Sequence, residues 1–126
     1  MWKEIVCDGG YFPNYLVNEN GVIVRRSDGL VMKQYVQKSG YVAVYLKDER
    51  GQTCIRMVHR IVAYAFLPLV RGKEYVDHIN TIRHDNRAAN LRWVTPKENA
   101  NNEQTKLKRK RKKSSGLNKK RISLHR

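Results

Sequence analysis

The stretch Thr95-Pro96-Lys97-Glu98 admits few structures other than the start of a helix. Thr95 and Glu98 stand at the spacing at which a cap hydroxyl and a carboxylate satisfy each other's backbone N–H groups. Pro96 falls at the first helical position, where its missing N–H costs nothing. Ahead of this start, Leu91-Arg92-Trp93-Val94 reads as a strand, and Tyr75-Val76-Asp77-His78-Ile79 as another strand and its end. The polar run from Asn80 to Asn90 joins them. The block is therefore strand, loop, strand, helix.

The chain before it divides in two. Residues 2–56 read as short strands punctuated by turns. Tyr15-Leu16-Val17 leads through Asn18-Glu19-Asn20-Gly21 to Val22–Arg26, and Asp28-Gly29 precedes Leu30–Tyr35. Tyr41–Lys47 alternates, with Val42, Val44 and Leu46 on one face and Tyr41, Ala43, Tyr45 and Lys47 on the other. After the Asp48–Gly51 turn the chain returns through Thr53–Arg56. The expectation is one small antiparallel sheet. Val58, Ile61, Val62, Ala65 and Phe66 then form one helical stripe, stopped by Pro68. The fold class expected is α+β, with a β module over 1–56, a linking helix and the strand–loop–strand–helix block over 57–105, and a tail over 106–126.

The tail is set apart by charge. It holds 11 of the 26 Lys and Arg residues and no acid, whereas residues 1–104 hold 15 basic against 11 acidic ones, so most of the net +15 lies in a segment too polar to fold alone. A disordered basic tail, with Lys108, Arg109, Lys110 and Arg111 at its densest part, suits a polyanionic partner, since each cation placed on a phosphate releases a counterion. Such tails also serve ribosomal proteins, import signals and solubility. No apolar run approaches the roughly 18 residues of a membrane span, and no membrane partner is expected. Cys7 and Cys54 form no Cys-x-x-Cys pair, which leaves two ordinary thiols and suits a reducing compartment.

The block from Asp77 to Asn99 has the parts for metal-assisted phosphodiester hydrolysis, which needs a base for water and a divalent ion for the phosphate. Asp77 offers a hard oxygen suited to Mg²⁺ (or Mn²⁺). His78 titrates near neutrality, as a general base requires. At a strand end both can approach one phosphate. Asn90, 12 positions later, is placed to accept from one imidazole N–H and fix its tautomer. Asn99, in the first turn of the capped helix, is placed to bring a second oxygen to the metal.

The segment Val76–Asn80, with Asp85-Asn86, Asn90–Thr95 and Glu98-Asn99, resembles the HNH motif of phage and intron-encoded homing endonucleases. Met57–Pro68 resembles the helix ahead of that motif, and Trp2–Ile5, Tyr15–Asn18 and Gly21–Ile23 resemble the N-terminal β module often fused to it. The resemblance spans roughly residues 2–102. It implies a ββα-metal fold, metal binding by Asp77 and Asn99, a base in His78, an orienting role for Asn90, and 5′-phosphate and 3′-hydroxyl products in the cytoplasm of a bacterial host. The sequence departs from the family at Asn80–His84, where relatives commonly carry an acidic residue and a glycine. It also has only the tail where others carry a further DNA-reading module.

Ordinary readings stand beside each of these residues. Asp77 is a common turn residue, Asn90 a common Asx-turn former, and Asn99 a common exposed helix residue beside Asn101 and Asn102. His59, on the core helix, is either a structural histidine or an aid to the site, and His84 either touches phosphate or nothing. Among Arg60, Arg83, Arg87 and Arg92, one or two are expected to clamp the scissile phosphate of double-stranded DNA. Lys33, Tyr35, Lys38, Tyr41, Tyr45 and Lys47 are expected on a sheet face able to meet a DNA groove, or on an ordinary solvent face. A catalytically silent DNA- or RNA-binding protein is the rival reading. Whether the protein is a monomer or a homodimer is not written in these residues.

Overall fold

The computed structural model describes residues 1–100; the basic tail, including Lys108, Arg109, Lys110 and Arg111, lies outside them. The chain opens with a hairpin of β1 (Trp2–Cys7) and β2 (Gly10–Asn18). Asp8 and Gly9 both take positive φ, 48° and 80°, the backbone that a two-residue hairpin turn needs. Pro13 cannot donate to a ladder, and the pairing accommodates it by a register shift: Ile5 faces Phe12 while Glu4 faces Leu16. β3 (Ile23–Arg25) completes this sheet in the order β1-β2-β3.

A second antiparallel sheet follows, β4 (Tyr35–Val36), β5 (Val42–Lys47) and β6 (Thr53–Met57). The single sheet expected from the strand pattern is therefore two. The segment between them explains why. Leu30–Tyr35 does not form one strand; Arg25 N–H donates to Leu30 O and Met32 N–H to Ile23 O, hooking it onto β3 before it crosses to β4. Val42, Val44 and Leu46 are buried as the alternation predicts, but Ala43 on the opposite face is buried as well.

Helix α1 (Val58–Phe66) begins directly after β6 and buries Val58, His59, Ile61, Val62 and Ala63. β7 (Tyr75–His78) and β8 (Leu91–Val94) then pair antiparallel, with a 3-10 turn at Ala88–Asn90 entering β8. Residues 96–100 are helical. The capping box is present in both directions: Glu98 N–H donates to Thr95 Oγ1 at 3.0 Å, and Thr95 N–H to Glu98 Oε1 at 2.9 Å.

One apolar cluster runs through all of this, from Ile5, Phe12 and Ile23 through Leu46, Val58 and Ile61 to Val76, Leu91 and Trp93. The β7–β8 hairpin is thus built on the same core as the two sheets. Arg56 ties them, donating through Nε to Cys7 O and lying 5.2 Å over the Phe12 ring. Gly10 permits this approach, because a Cβ there would come within 2.8 Å of the Arg56 guanidinium and of Phe12. Cys7 is fully buried, and burial together with the neighbouring Asp8 carboxylate pushes its thiol up to about 12, so it is unreactive packing. Both cysteines are free. Among the described residues, no helix is long and apolar enough to cross a membrane.

Candidate active site

His78 ends β7, and its ring is buried at 5% exposure. Its Nε2 lies 2.8 Å from Asn86 Oδ1. An amide oxygen only accepts, so Nε2 carries the proton and Nδ1 is the basic nitrogen. Burial lowers the imidazole's pKa below the usual histidine value, against the opposing pull of the Asn86 bond and of the Asp77 and Asp85 charges. At neutral pH His78 is therefore an uncharged ring with a free lone pair, the form a general base must have.

The tautomer was expected to be set by Asn90. The structure gives that role to Asn86, eight residues after His78 in the connecting loop. Asn90 instead knots the loop. Its Oδ1 accepts from Asn80 N–H at 3.0 Å, and its Nδ2 donates to Asn80 Oδ1 and to Asp85 O at 3.0 and 2.8 Å. The physical reason is position: Asn90 closes the 3-10 turn beside the start of the loop, and its short side chain spans the loop's two ends. We expect Asn90→Ala to leave Asn80 N–H, Asn80 Oδ1 and Asp85 O without this partner, lowering stability by about 1–3 kcal/mol, read as a fall in the urea midpoint at unchanged slope.

The same loop carries Thr81 at φ 64°, a left-handed conformation that a β-branched residue adopts only under constraint. Thr81 N–H donates to His78 O and Ile82 N–H to Asn80 Oδ1, which hold the tight turn. A glycine at this point takes such a conformation without strain. Both sheets' turns also grip the loop. Ala88 N–H donates to Glu19 O at 2.8 Å, and Gly21, at φ 84°, packs so closely that a Cβ would meet Asn86 O at 3.4 Å. Arg83 donates to Ser39 O and lies 4.7 Å over the Tyr41 ring.

Asp77 faces Arg92 across the hairpin, with Arg92 Nη2 2.9 Å from Asp77 Oδ2. Its side chain is 15% exposed, whereas that of Arg92 is 53% exposed, so a half-buried carboxylate meets a cation at the surface. Asn99 is half-buried in the first turn of the last helix, its N–H donating to Thr95 O. Among the described residues no three or more His, Cys, Asp or Glu side chains are grouped so that they alone could hold a metal ion.

The remaining predicted residues separate by environment. Arg60 is not free for phosphate. Its guanidinium forks onto the Asp8 carboxylate at 2.9 Å, donates to Glu74 O, and lies against Tyr64 and Trp93, because α1 aims it into the gap between the first hairpin and β7. Arg87 is exposed and bidentate to Asp85, whose pKa it holds well below the usual carboxylate range. Lys33, Tyr35, Lys38, Tyr45 and Lys47 are exposed. Lys33 lies over Tyr35, and Tyr35 meets Tyr45 edge to face at 5.7 Å. Tyr41 departs from that face: it is half-buried and stacked 4.8 Å from His59. His84 is exposed.

His59 is 7% exposed and its Nδ1 is buried without a hydrogen-bond partner. Burial, with the nearby His78 and Arg60, lowers its pKa to about 3. Above pH 6.5 it is neutral folded or unfolded; as pH falls from 6.5 toward 3 only the unfolded chain takes the proton, so stability is lost across that window. We expect acid unfolding to steepen by up to about 1.4 kcal/mol per pH unit there, and a His59→Phe variant to flatten the urea-midpoint curve over the same range.

Comparison with known proteins bears on the fold and on the segment that carries these residues. Residues 56–101 match the family model described as HNH endonuclease. An uncharacterised HNH endonuclease of Acanthamoeba polyphaga mimivirus is 37% identical over 79% of this chain and 25% of its own length. DNA endonuclease I-HmuI of Bacillus phage SP01 is 34% identical over 83% of this chain and 58% of its own. The chain therefore spans about a quarter and rather more than half of these two relatives. A solved structure titled for DNA binding and cleavage by the HNH homing endonuclease I-HmuI superposes with a TM-score of 0.69 at 29% identity, over 98% of this chain and 64% of that one. With a strand-end Asp-His pair, a tethered loop and a capped helix on the matched residues, the segment 56–101 is an HNH endonuclease module.

Proposed function

We propose that this chain hydrolyses phosphodiester bonds of double-stranded DNA with the help of Mg²⁺ (or Mn²⁺), leaving 5′-phosphate and 3′-hydroxyl ends. The observation that carries the reading is the neutral His78 imidazole, tethered at Nε2, beside the Asp77 carboxylate at one strand end. The residues fit a divalent ion. Asp77 already sits against positive charge, that of Arg92. One carboxylate with an amide oxygen from Asn99 also suits a hard ion that keeps several waters, rather than a closed all-protein cage.

In this reading Asp77 and Asn99 would hold the ion, which would supply charge to the scissile phosphate and the leaving oxygen. His78 Nδ1 accepts the proton of the attacking water, while Asn86 keeps the proton on Nε2 and so preserves the reactive tautomer. Arg92, sharing the Asp77 carboxylate and half-exposed, is placed to turn to the phosphate. Arg83 and Arg87 flank the loop. Lys33, Tyr35, Lys38, Tyr45 and Lys47 present an exposed aromatic and basic face to the duplex, and the tail adds non-specific grip through Lys108, Arg109, Lys110 and Arg111. One centre cuts one strand, so a monomer nicks. The phage and viral relatives support a phage-encoded protein acting in the cytoplasm of a bacterial host.

The test is supercoiled plasmid incubated with Mg²⁺, Mn²⁺ or EDTA. Metal-dependent relaxed circles are expected, and accumulation of linear DNA marks a dimer. A shift in mobility without cutting, under every metal condition, replaces the enzyme with a binding protein.

A further inference from the structure

Three rings from three parts of the chain meet at the base. Tyr41 enters β5, His59 lies in the first turn of α1, and His78 ends β7. The Tyr41 and His59 rings stack at 4.8 Å with 28° between their planes. His59 and His78 lie 5.1 Å apart at 51°, and Tyr41 and His78 5.9 Å apart at 33°. Arg83, from the site loop, closes on Tyr41 at 4.7 Å and is itself bonded to Ser39 O.

The arrangement answers a mechanical need. The Cβ–Cγ bond and one hydrogen bond, from Nε2 to Asn86, hold the His78 ring along its edge, and what they leave is a rocking of its plane about Cβ–Cγ. Packing on the ring faces narrows that rocking and with it the spread of directions open to Nδ1. We infer that His59, backed by Tyr41, is a positioning residue that walls the His78 imidazole and sets the direction of its Nδ1 lone pair. This rests on the nuclease reading above for its consequence, though not for its geometry. The unpartnered Nδ1 of His59 supports a wall rather than a relay: that atom makes no hydrogen bond to explain where the ring sits, and its flat faces are what it offers its neighbours. A burial cost of this kind is tolerated where a neighbour constrains the ring. The wall is also where the N-terminal sheets reach the chemistry, since Tyr41 follows the β4–β5 turn directly.

The experiment uses the full chain, first without metal. Imidazole ¹⁵N spectra of the wild type are expected to show His78 as one Nε2–H tautomer. His59→Ala is expected to keep that tautomer but to shift and broaden the His78 ring resonances, as a rocking ring does, and His59→Phe, which keeps a flat ring, to restore the wild-type spectrum. With Mg²⁺ and plasmid at pH 8, His59→Ala is expected to lower kcat by about 10- to 100-fold, the cost of a misaimed group, with KM for DNA little changed. His59→Phe is expected to recover most of that loss. Tyr41→Ala, at a half-buried position, provides the same test should His59→Ala fail to fold: lower kcat and a shifted, broadened His78 spectrum. An unchanged His78 spectrum and kcat in both alanine variants overturns the inference while leaving the nuclease reading intact. So does a His59→Phe variant as impaired as His59→Ala. If the wild type itself does not nick, the nuclease reading falls, and the spectra alone still decide whether His59 and Tyr41 hold the ring.

Discussion

Replacing His78 with alanine is expected to lower nicking by about 10²- to 10⁴-fold, the span that a positioned general base contributes. The ring is buried and neutral, and its proton is committed to Asn86, so Nδ1 has one remaining use, to accept. His84 and His59 are poor substitutes, one exposed on the loop and the other walled into the core. The variant leaves Asn86 Oδ1 without its partner, so some loss of stability accompanies the loss of rate. Steady-state nicking is therefore compared at a temperature where urea titration shows both proteins folded. Binding to plasmid without metal is expected to be unchanged, because the proposed DNA face lies on β4 and β5 and in the tail. A variant that nicks at the wild-type rate removes His78 from the chemistry.

The second large effect is expected from Asp77. Asp77→Ala removes the one half-buried carboxylate at the strand end and is expected to lower metal-dependent nicking by about 10²- to 10³-fold, the scale of losing one preorganised electrostatic contact in an active site. Raising Mg²⁺ is expected to recover part of the rate if the loss is one of affinity. Folding is expected to survive, since Arg92 is half-exposed and such an ion pair contributes about 0–1 kcal/mol. The pairing of measurements separates roles: a rate that rises with added Mg²⁺ assigns Asp77 to the metal, and a rate low at every Mg²⁺ concentration assigns it to another step. Wild-type nicking by Asp77→Ala ends the metal assignment.

Much of this was legible from residue order. The capping box at Thr95 and Glu98, the inward row of Val42, Val44 and Leu46 and the helix over Val58–Phe66 all depend on neighbours a few positions apart, and all are present. The Asp77-His78 pair was legible for the same reason, as adjacent residues at a strand end. Less legible was the division into two sheets, because the Leu30–Tyr35 segment looks like a strand locally and becomes a crossover only once Met32 and Arg25 hook it to β3. Arg60 stood among the cations expected to clamp phosphate. Its fate depended on Asp8, 52 residues away, and no spacing rule joins those two.

The sequence by itself determined the capped helix, the alternating strand and the candidate Asp77-His78 pair, because periodicity, capping and turn propensity act within a few residues. Only the tertiary structure decided who holds whom. Asn86 rather than Asn90 tethers the base, Asn90 knots the loop, and Tyr41 leaves the sheet face to stack on His59 beside His78. Those choices follow from packing two sheets, a helix and a hairpin on one core, where the partner of a buried polar group or ring is whichever neighbour the fold brings within a few ångströms.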